Sequence, residues 1–361
     1  MADTAHLVLA DGTAFPGRAH GARGTTVGEA VFTTTMTGYQ EVLTDPSYYG
    51  QIVTMTAPQI GNVGVNAGDT EAIDARGSSG DPGPRLAGFV LRDASALASN
   101  WRSEESLDGY LGRHGVVAIS DVDTRALTRH LRDHGSQNAA IGTATVADLL
   151  AEARRAPDMN GLDLVRFVTP KDPYTWTEGR GSWATNGGTS GAPLANGGGA
   201  HVVAVDFGVK RNILRCLVDC GFNVTVVPAS TPAAAILDLK PDGIFLSNGP
   251  CDPAAVVYAV ETVRGLVGKK PIFGICLGHQ LLGLALGGTT YKLKFVHRGA
   301  NQPVKDLLTG RIEITTQNHG FCVDLSSLPS GVESTHVHLN DGTSEGLSAK
   351  TQRLFSVQYH P

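Results

Sequence analysis

Several features that would classify a chain at once are scarce in this sequence. It has five cysteines in 361 residues, without a CxxC pair, and only 17% of its residues are charged, with a net charge of −5 and no basic cluster. No apolar run approaches the roughly 18 residues that span a bilayer. The N-terminus has neither the basic start nor the apolar core of a secretory signal. We therefore expect a cytoplasmic protein with no membrane segment and no surface dedicated to nucleic acid.

Cys216 and Cys220 are the one close cysteine pair, and they share a helical face with Ile213 and Leu217. This pattern favours two buried core cysteines. A metal or redox pair is the alternative.

The length suits two or three domains, and the composition changes along the chain. Residues 1–150 mix short strand-like runs with glycine turns and a helical piece at 124–134, which predicts a smaller α+β domain. Residues 151–200 form a connector that is rich in Gly, Ser and Asn from about residue 175 and is expected to be flexible there. Residues 201–361 form the third region.

From residue 201 strands and helices alternate. Apolar runs at 202–205, 223–227 and 243–246 read as strands, and residues 210–220, 233–239 and 254–267 as helices. This rhythm predicts an α/β fold with a doubly wound, mostly parallel sheet and flanking helices. Active sites in such sheets lie at the carboxyl ends of the strands. Beyond residue 288 the runs at 290–294, 312–316 and 333–339 read as further strands.

The most informative segment is Gly-x-Cys-x-Gly at 274–278, between an apolar run and a helix-like stretch. A cysteine in this frame has the form of a nucleophile elbow. His360 follows 84 positions later, after another apolar run, and could supply the base for acyl transfer. The alternatives are a buried structural cysteine and a surface histidine. His279 is interpreted as structural rather than catalytic.

An oxyanion hole needs backbone N–H donors, and the candidates are Leu277, directly after the cysteine, and Gly249 in the loop 247–253. That loop has the turn chemistry of Asn-Gly and Asp-Pro, so a plain turn is an equal alternative. The segment 318–321 could bind an amino acid or form a tight turn. Ser47 alone reads as a turn serine.

These motifs resemble those of class I glutamine amidotransferases, whose histidine lies in a His-Pro-Glu segment. The sequence stops at Pro361, before the position of that glutamate. We expect that the sequence is cut short there, the alternative being an enzyme without this acid.

Four blocks of the sequence resemble a smaller group within this class, the small subunit family of carbamoyl phosphate synthetases. The first block comprises residues 37–48, 51–53 and 60–62, and the others are residues 123–129, 206–213 and 318–321. The resemblance implies that glutamine is hydrolysed to glutamate and ammonia. It also implies a large subunit that binds ATP and Mg²⁺ and makes carbamoyl phosphate from bicarbonate, for arginine and pyrimidine synthesis. No cofactor or metal is expected in this chain.

The resemblance also assigns roles by position. Cys276 corresponds to the nucleophile and His360 to the base. The residues that correspond to glutamine-binding positions are Ser47, Gly249, Cys251, Leu277, Gln280, Asn318, Gly320 and Phe321. Cys251 replaces a glycine of the family loop, and a side chain there is expected to crowd glutamine or to strain a backbone at positive φ by about 1–2 kcal/mol.

Two other functions remain open at this point. One is the amidotransferase component of another synthase, such as anthranilate synthase, which lacks the N-terminal block. The other is a non-catalytic subunit with a decayed site, which organises an assembly.

Overall fold

The computed structural model describes residues 3–74, 81–181 and 199–361. The chain divides into two compact units. The first comprises Met1–Ala72, Asp81–Asn160 and Lys294–Asn301, and the second comprises Ile73–Gly80, Gly161–Leu293 and Gln302–Pro361. Most of the stretch predicted to be flexible, residues 182–198, lies outside the described residues.

The first unit is built on a closed, seven-stranded sheet. Its strands and helices, in chain order, are β1 (Thr4–Leu9), β2 (Ala14–Gly21), β3 (Thr25–Thr33), α1 (Tyr39–Thr44), β4 (Gln51–Met55), β5 (Gln59–Ile60), β6 (Gly88–Val90), β7 (Asp93–Ala94), α2 (Leu107–Arg113), β8 (Val117–Ser120), α3 (Thr124–His134), β9 (Gln137–Gly142) and α4 (Val146–Arg155). The closed sheet has the order β1-β2-β8-β6-β4-β3-β9, and β5 and β7 form a separate pair.

Helix α3 shows how local sequence sets an element of this unit. Asp123 caps it by accepting the N–H of Ala126 at 3.0 Å, and the helix ends at Gly135, whose φ is 91°. Leu127 and Leu131, one turn apart, are buried against the closed sheet. The bounds are those that the sequence predicts.

The second unit contains a ten-stranded sheet. Its elements are β10 (Tyr174–Trp176), β11 (His201–Asp206), α5 (Arg211–Asp219), β12 (Asn223–Pro228), α6 (Ala233–Asp238), β13 (Gly243–Leu246), α7 (Val257–Leu266), β14 (Ile272–Ile275), α8 (Leu277–Ala285), β15 (Thr289–Asp306), β16 (Ile312–Asp324), β17 (Glu333–His338), β18 (Ser344–Ala349) and β19 (Leu354–Val357).

The strand order is β10-β12-β11-β13-β14-β19-β18-β17-β15-β16. Strands β12, β11, β13, β14 and β19 are parallel neighbours, and their central residues are buried, as expected for a sheet covered on both faces. The order reverses at β11, the start of a doubly wound arrangement. The predicted α/β fold class is therefore confirmed.

The parallel arrangement brings the carboxyl ends of β11, β13, β14 and β19 to one edge of the sheet. Polar loops follow all four strands there, and the site described below lies among them. Among the described residues, every helix is too short or too polar to cross a lipid bilayer.

Candidate active site

Cys276 is the single residue between β14 and α8. Its φ is 53° and its ψ is −104°, a combination that residues other than glycine rarely adopt. The strand ends one residue before it and the helix begins one residue after it. A strained turn of this kind is the geometry of a nucleophile elbow. The sulfur is therefore carried at the N-terminus of α8.

The glycines of the elbow are required by close packing between α8 and the sheet. A Cβ on Gly278 would lie 2.3 Å from the carbonyl oxygen of Leu246, and a Cβ on Gly274 would lie 2.8 Å from the carbonyl carbon of Gly278. Both contacts are with backbone, which cannot move aside easily. The Gly-x-Cys-x-Gly frame therefore lets the helix cross directly over β13 and β14.

His360 reaches the same edge of the sheet by way of β19, the strand beside β14. The N–H of Cys276 donates to the carbonyl of Val357 at 2.9 Å. Both predicted catalytic residues also contact β16. The thiol of Cys276 donates to the carbonyl of Asn318 at 3.6 Å, and the backbone N–H of His360 donates to the carbonyl of Thr316 at 2.8 Å. Alternate residues of a strand are only about 7 Å apart, so β16 holds the two residues side by side.

Gly249, a predicted oxyanion donor, lies in the loop after β13, on the other side of β14. A Cβ on Gly249 would lie 2.1 Å from the carbonyl oxygen of Phe207 and 3.0 Å from Cδ2 of Leu277. Glycine is therefore needed at this position. Leu277 is the first residue of α8, so the helix itself leaves its N–H unpaired. The two predicted donors come from neighbouring segments that pack together beside Cys276.

The loop 247–253 is hydrogen-bonded to the loop that follows β11, which a plain surface turn would not be. Asn248 is fully buried; its side-chain oxygen accepts the N–H of Lys210 at 3.1 Å, and its amide donates to the carbonyl of Gly208 at 3.0 Å. The hydroxyl of Ser247 accepts the N–H of Phe207 at 2.9 Å. These bonds fix the backbone that leads to Gly249.

The segment 318–321 lies inside the long strand β16, so the alternative of a tight turn is wrong. Asn318 and Phe321 are buried, and Gly320 is half-buried between them. The ring of His319 is also buried, with Nδ1 2.8 Å from the carbonyl of Phe321 and Nε2 2.8 Å from Oε1 of Gln317. Pairing within the sheet holds this Asn-His-Gly sequence extended although its residue types favour turns.

Gln280 joins α8 to β16. Its amide nitrogen donates to the carbonyl of Phe321 at 2.8 Å and to Oε1 of Gln358 at 3.0 Å. All three residues are buried. This contact positions β16 against the helix that begins at Cys276.

Cys251 has a φ of 134°, so the expected positive φ at this position is confirmed. Burial raises the pKa of its thiol well above the usual range. The side chain packs against the hydrophobic core that includes Val165 and Phe207. Cys251 is therefore a strained residue with a neutral thiol.

Ser47 belongs to the first unit. It is buried in a single-turn 3-10 helix, Pro46–Tyr48, and its N–H donates to Oδ1 of Asp45 at 2.8 Å. The other nine predicted site residues belong to the second unit.

His279 and Ser356 lie next to the site and contact each other, a pairing that the sequence analysis did not predict. His279 is fully buried, and its Nδ1 lies 3.0 Å from the hydroxyl of Ser356 in β19. Burial lowers the pKa of His279 to about 3. The sequence does contain a sign of this contact, the single serine within the apolar run 354–357. A buried hydroxyl needs a hydrogen-bond partner, so this serine indicates a polar group packed against the strand.

The prediction for Cys216 and Cys220 is wrong. Neither cysteine is in a disulfide, Cys216 is half-buried, and Cys220 is exposed at the end of α5. The buried face of that helix is formed by Arg211, Leu214 and Val218.

The fold and the elbow define the class of protein. The Cys276 elbow and the converging His360 segment both lie within a stretch that matches a family of glutamine amidotransferases. The family described as "Glutamine amidotransferase class-I" matches residues 203–361.

The rest of the chain narrows this class. The family described as "Carbamoyl-phosphate synthase small chain, CPSase domain" matches residues 7–141. The carbamoyl phosphate synthase small chain of Syntrophotalea carbinolica is 54% identical over 98% of this chain and 92% of its own length. The carbamoyl phosphate synthase small chain of Yersinia pseudotuberculosis is 53% identical over 100% of this chain and 90% of its own length. The chain belongs to the carbamoyl phosphate synthase small chain family, as the sequence analysis predicted. The matched N-terminal domain disfavours the anthranilate synthase alternative. The chain is a glutamine-hydrolysing enzyme subunit, which disfavours the non-catalytic alternative.

Proposed function

We propose that Cys276 and His360 carry out the hydrolysis of glutamine. The Cys276 thiolate attacks the side-chain amide carbon of glutamine, and the N–H groups of Leu277 and Gly249 hold the negative oxygen. His360 donates a proton to the departing nitrogen, which leaves as ammonia. It then takes a proton from water, and the resulting hydroxide cleaves the γ-glutamyl thioester to glutamate and restores the thiolate beside the protonated His360.

The single observation that carries this proposal is the strained backbone of Cys276. A φ of 53° at a residue with a side chain costs free energy, of order 1–3 kcal/mol, and such strain is found mainly at functional sites. Here the strain lifts the sulfur to the sheet edge, where the His360 segment and the loop of Gly249 converge. A buried structural cysteine would not need such a backbone.

We further propose that glutamine is held by the residues that correspond to the family's binding positions. In the second unit these surround the elbow: Gly249, Cys251, Leu277, Gln280, Asn318, Gly320 and Phe321. Ser47 is the proposed contribution of the first unit. The carbonyls of Asn318 and Phe321 are already engaged by Cys276 and Gln280, which supports a binding surface built on β16.

The proposed partner is a large subunit that receives the ammonia. ATP and Mg²⁺ are expected in that subunit, where bicarbonate and ammonia form carbamoyl phosphate for arginine and pyrimidine synthesis. We expect no cofactor in this chain. The five cysteines form no disulfide, which suits the reducing cytoplasm, the proposed location.

The test is Cys276→Ser in the complete protein with its large subunit. Glutamine-dependent synthesis should fall to background, while ammonia-dependent synthesis persists because it bypasses the site. Cys220→Ser, at an exposed cysteine, is the matched control and should keep both activities. Undiminished glutamine use by Cys276→Ser would reject the proposal.

A further inference from the structure

The loop that supplies Gly249 is held by a second segment, residues 161–169, which we call the tether. Asp252 makes the link, because its Oδ2 accepts the N–H of Gly161 at 2.9 Å. The N–H of Asp252 also donates to the carbonyl of Leu162 at 3.4 Å. The tether and the loop thus touch at two points, three residues after the proposed oxyanion donor.

The two oxygens of the Asp252 carboxylate have different partners. While Oδ2 binds the tether, Oδ1 accepts the N–H of Ala254 at 3.0 Å and caps the short 3-10 helix Pro253–Ala255. The first bond crosses 91 positions of sequence, and the second is local. A substitution can therefore remove one and keep the other.

The tether itself is firmly anchored. Val165 is fully buried in the core of the second unit. The hydroxyl of Thr169 donates to the carbonyl of Asp206 at 2.7 Å and accepts the N–H of Ala229 at 2.9 Å. These anchors are backbone groups at the carboxyl ends of β11 and β12. The tether therefore holds Asp252 at a fixed position relative to the edge of the sheet.

We propose that Asp252 is a positioning residue that sets the distance between the oxyanion donors Gly249 and Leu277. This inference rests on the proposed function. The N–H of Leu277 is fixed by α8, whereas Gly249 lies on a loop. On its inner side Gly249 packs closely against the carbonyl of Phe207, so a shift of the loop would carry it outward. The bond from Asp252 to Gly161 opposes that movement.

The test is Asp252→Asn in the complete protein with its large subunit. Asparagine keeps one oxygen for the cap on Ala254 but turns an N–H₂ group toward the N–H of Gly161. We expect kcat with glutamine to fall about 10- to 100-fold, the cost of misplacing an oxyanion donor. KM for glutamine and ammonia-dependent synthesis should stay near wild type. Asp324→Asn is the matched control, since Asp324 caps another 3-10 helix, Leu325–Ser327, in the same way and should keep full activity.

Two further measurements separate positioning from a general structural role. Alkylation of Cys276 by iodoacetamide, followed by mass spectrometry, should keep its wild-type rate in Asp252→Asn because the sulfur and the base are untouched. Gly161→Ala, which strains a residue with a φ of 76°, should also lower kcat. In the double variant the two losses should not multiply, since both act on one bond.

The possible results are distinct. Wild-type kcat in Asp252→Asn, multiplying losses in the double variant, slowed alkylation of Cys276, or failure to fold would each overturn the positioning role. If Cys276→Ser abolishes glutamine use while Asp252→Asn retains it, only this inference fails. If Cys276→Ser retains glutamine use, the proposed function fails first.

Discussion

The backbone N–H of Cys276 donates to the carbonyl oxygen of Val357 at 2.9 Å, across the junction of β14 and β19. This one bond ties the elbow to the strand that ends three residues before His360. The proposed nucleophile and base are therefore positioned by the same pair of parallel strands. Changes that loosen this sheet edge should affect the chemistry before they affect the rest of the fold.

The pH dependence of stability should contain a contribution from His279. Its pKa is about 3 in the folded chain and 6.5 when unperturbed. Between these values the unfolded chain binds a proton that the folded chain does not, so the free energy of unfolding falls as the pH falls. The contribution is present in full above pH 6.5 and decreases below it. Between about pH 7.5 and pH 5.5 the loss amounts to about 1.4 kcal/mol.

Urea unfolding at those two pH values, for the wild type and His279→Gln, measures this contribution. The variant should be less stable at both pH values because it loses buried packing and the contact with Ser356. Its stability should nevertheless decline less than that of the wild type on acidification. An equal decline in both proteins would show that His279 takes up its proton in the folded state.

Cys251→Gly should stabilise the chain relative to Cys251→Ala. Both variants remove the sulfur, but only glycine relieves the strain at a φ of 134°. The expected difference is about 1–2 kcal/mol in the free energy of unfolding. Urea denaturation of the two variants measures it. Equal stabilities would mean that the backbone relaxes around a Cβ without cost.

Gly278→Ala should destabilise the second unit although alanine favours helices. A Cβ at this position would lie 2.3 Å from the carbonyl oxygen of Leu246, which forces α8 away from β13. We expect a loss of about 1–3 kcal/mol, typical of overpacking. Gly112→Ala in α2 is the matched control, because nothing lies within 4 Å of its Cβ and the helix should gain slightly. Thermal unfolding in which both variants match the wild type would contradict the packing argument.

Local periodicity predicts much of this fold because several elements carry their own signal. The bounds predicted for the strand 243–246 and the helix 124–134 are those observed in β13 and α3. The apolar runs and the Gly-x-Cys-x-Gly frame also placed the elbow correctly. These features depend on neighbours within a few residues, which the sequence displays directly.

Long-range contacts account for what the sequence did not reveal. The segment 318–321 is extended because it pairs within a sheet, and Gln280 bonds to Phe321 across 41 positions. The exposure of Cys220 follows from which face of α5 the sheet covers, and that face holds Arg211, Leu214 and Val218. The hydrogen bond from Gly161 to Asp252 likewise joins residues 91 positions apart, which local sequence patterns do not indicate.

The central claim is that Cys276 forms the covalent intermediate. The most direct test is to quench the complete protein with acid during turnover of glutamine and to map modified peptides by mass spectrometry. We predict a γ-glutamyl group on the Cys276 peptide, and none when Cys276 is replaced by serine. A γ-glutamyl group on another cysteine, such as Cys251, or one that persists after the replacement, would contradict the account.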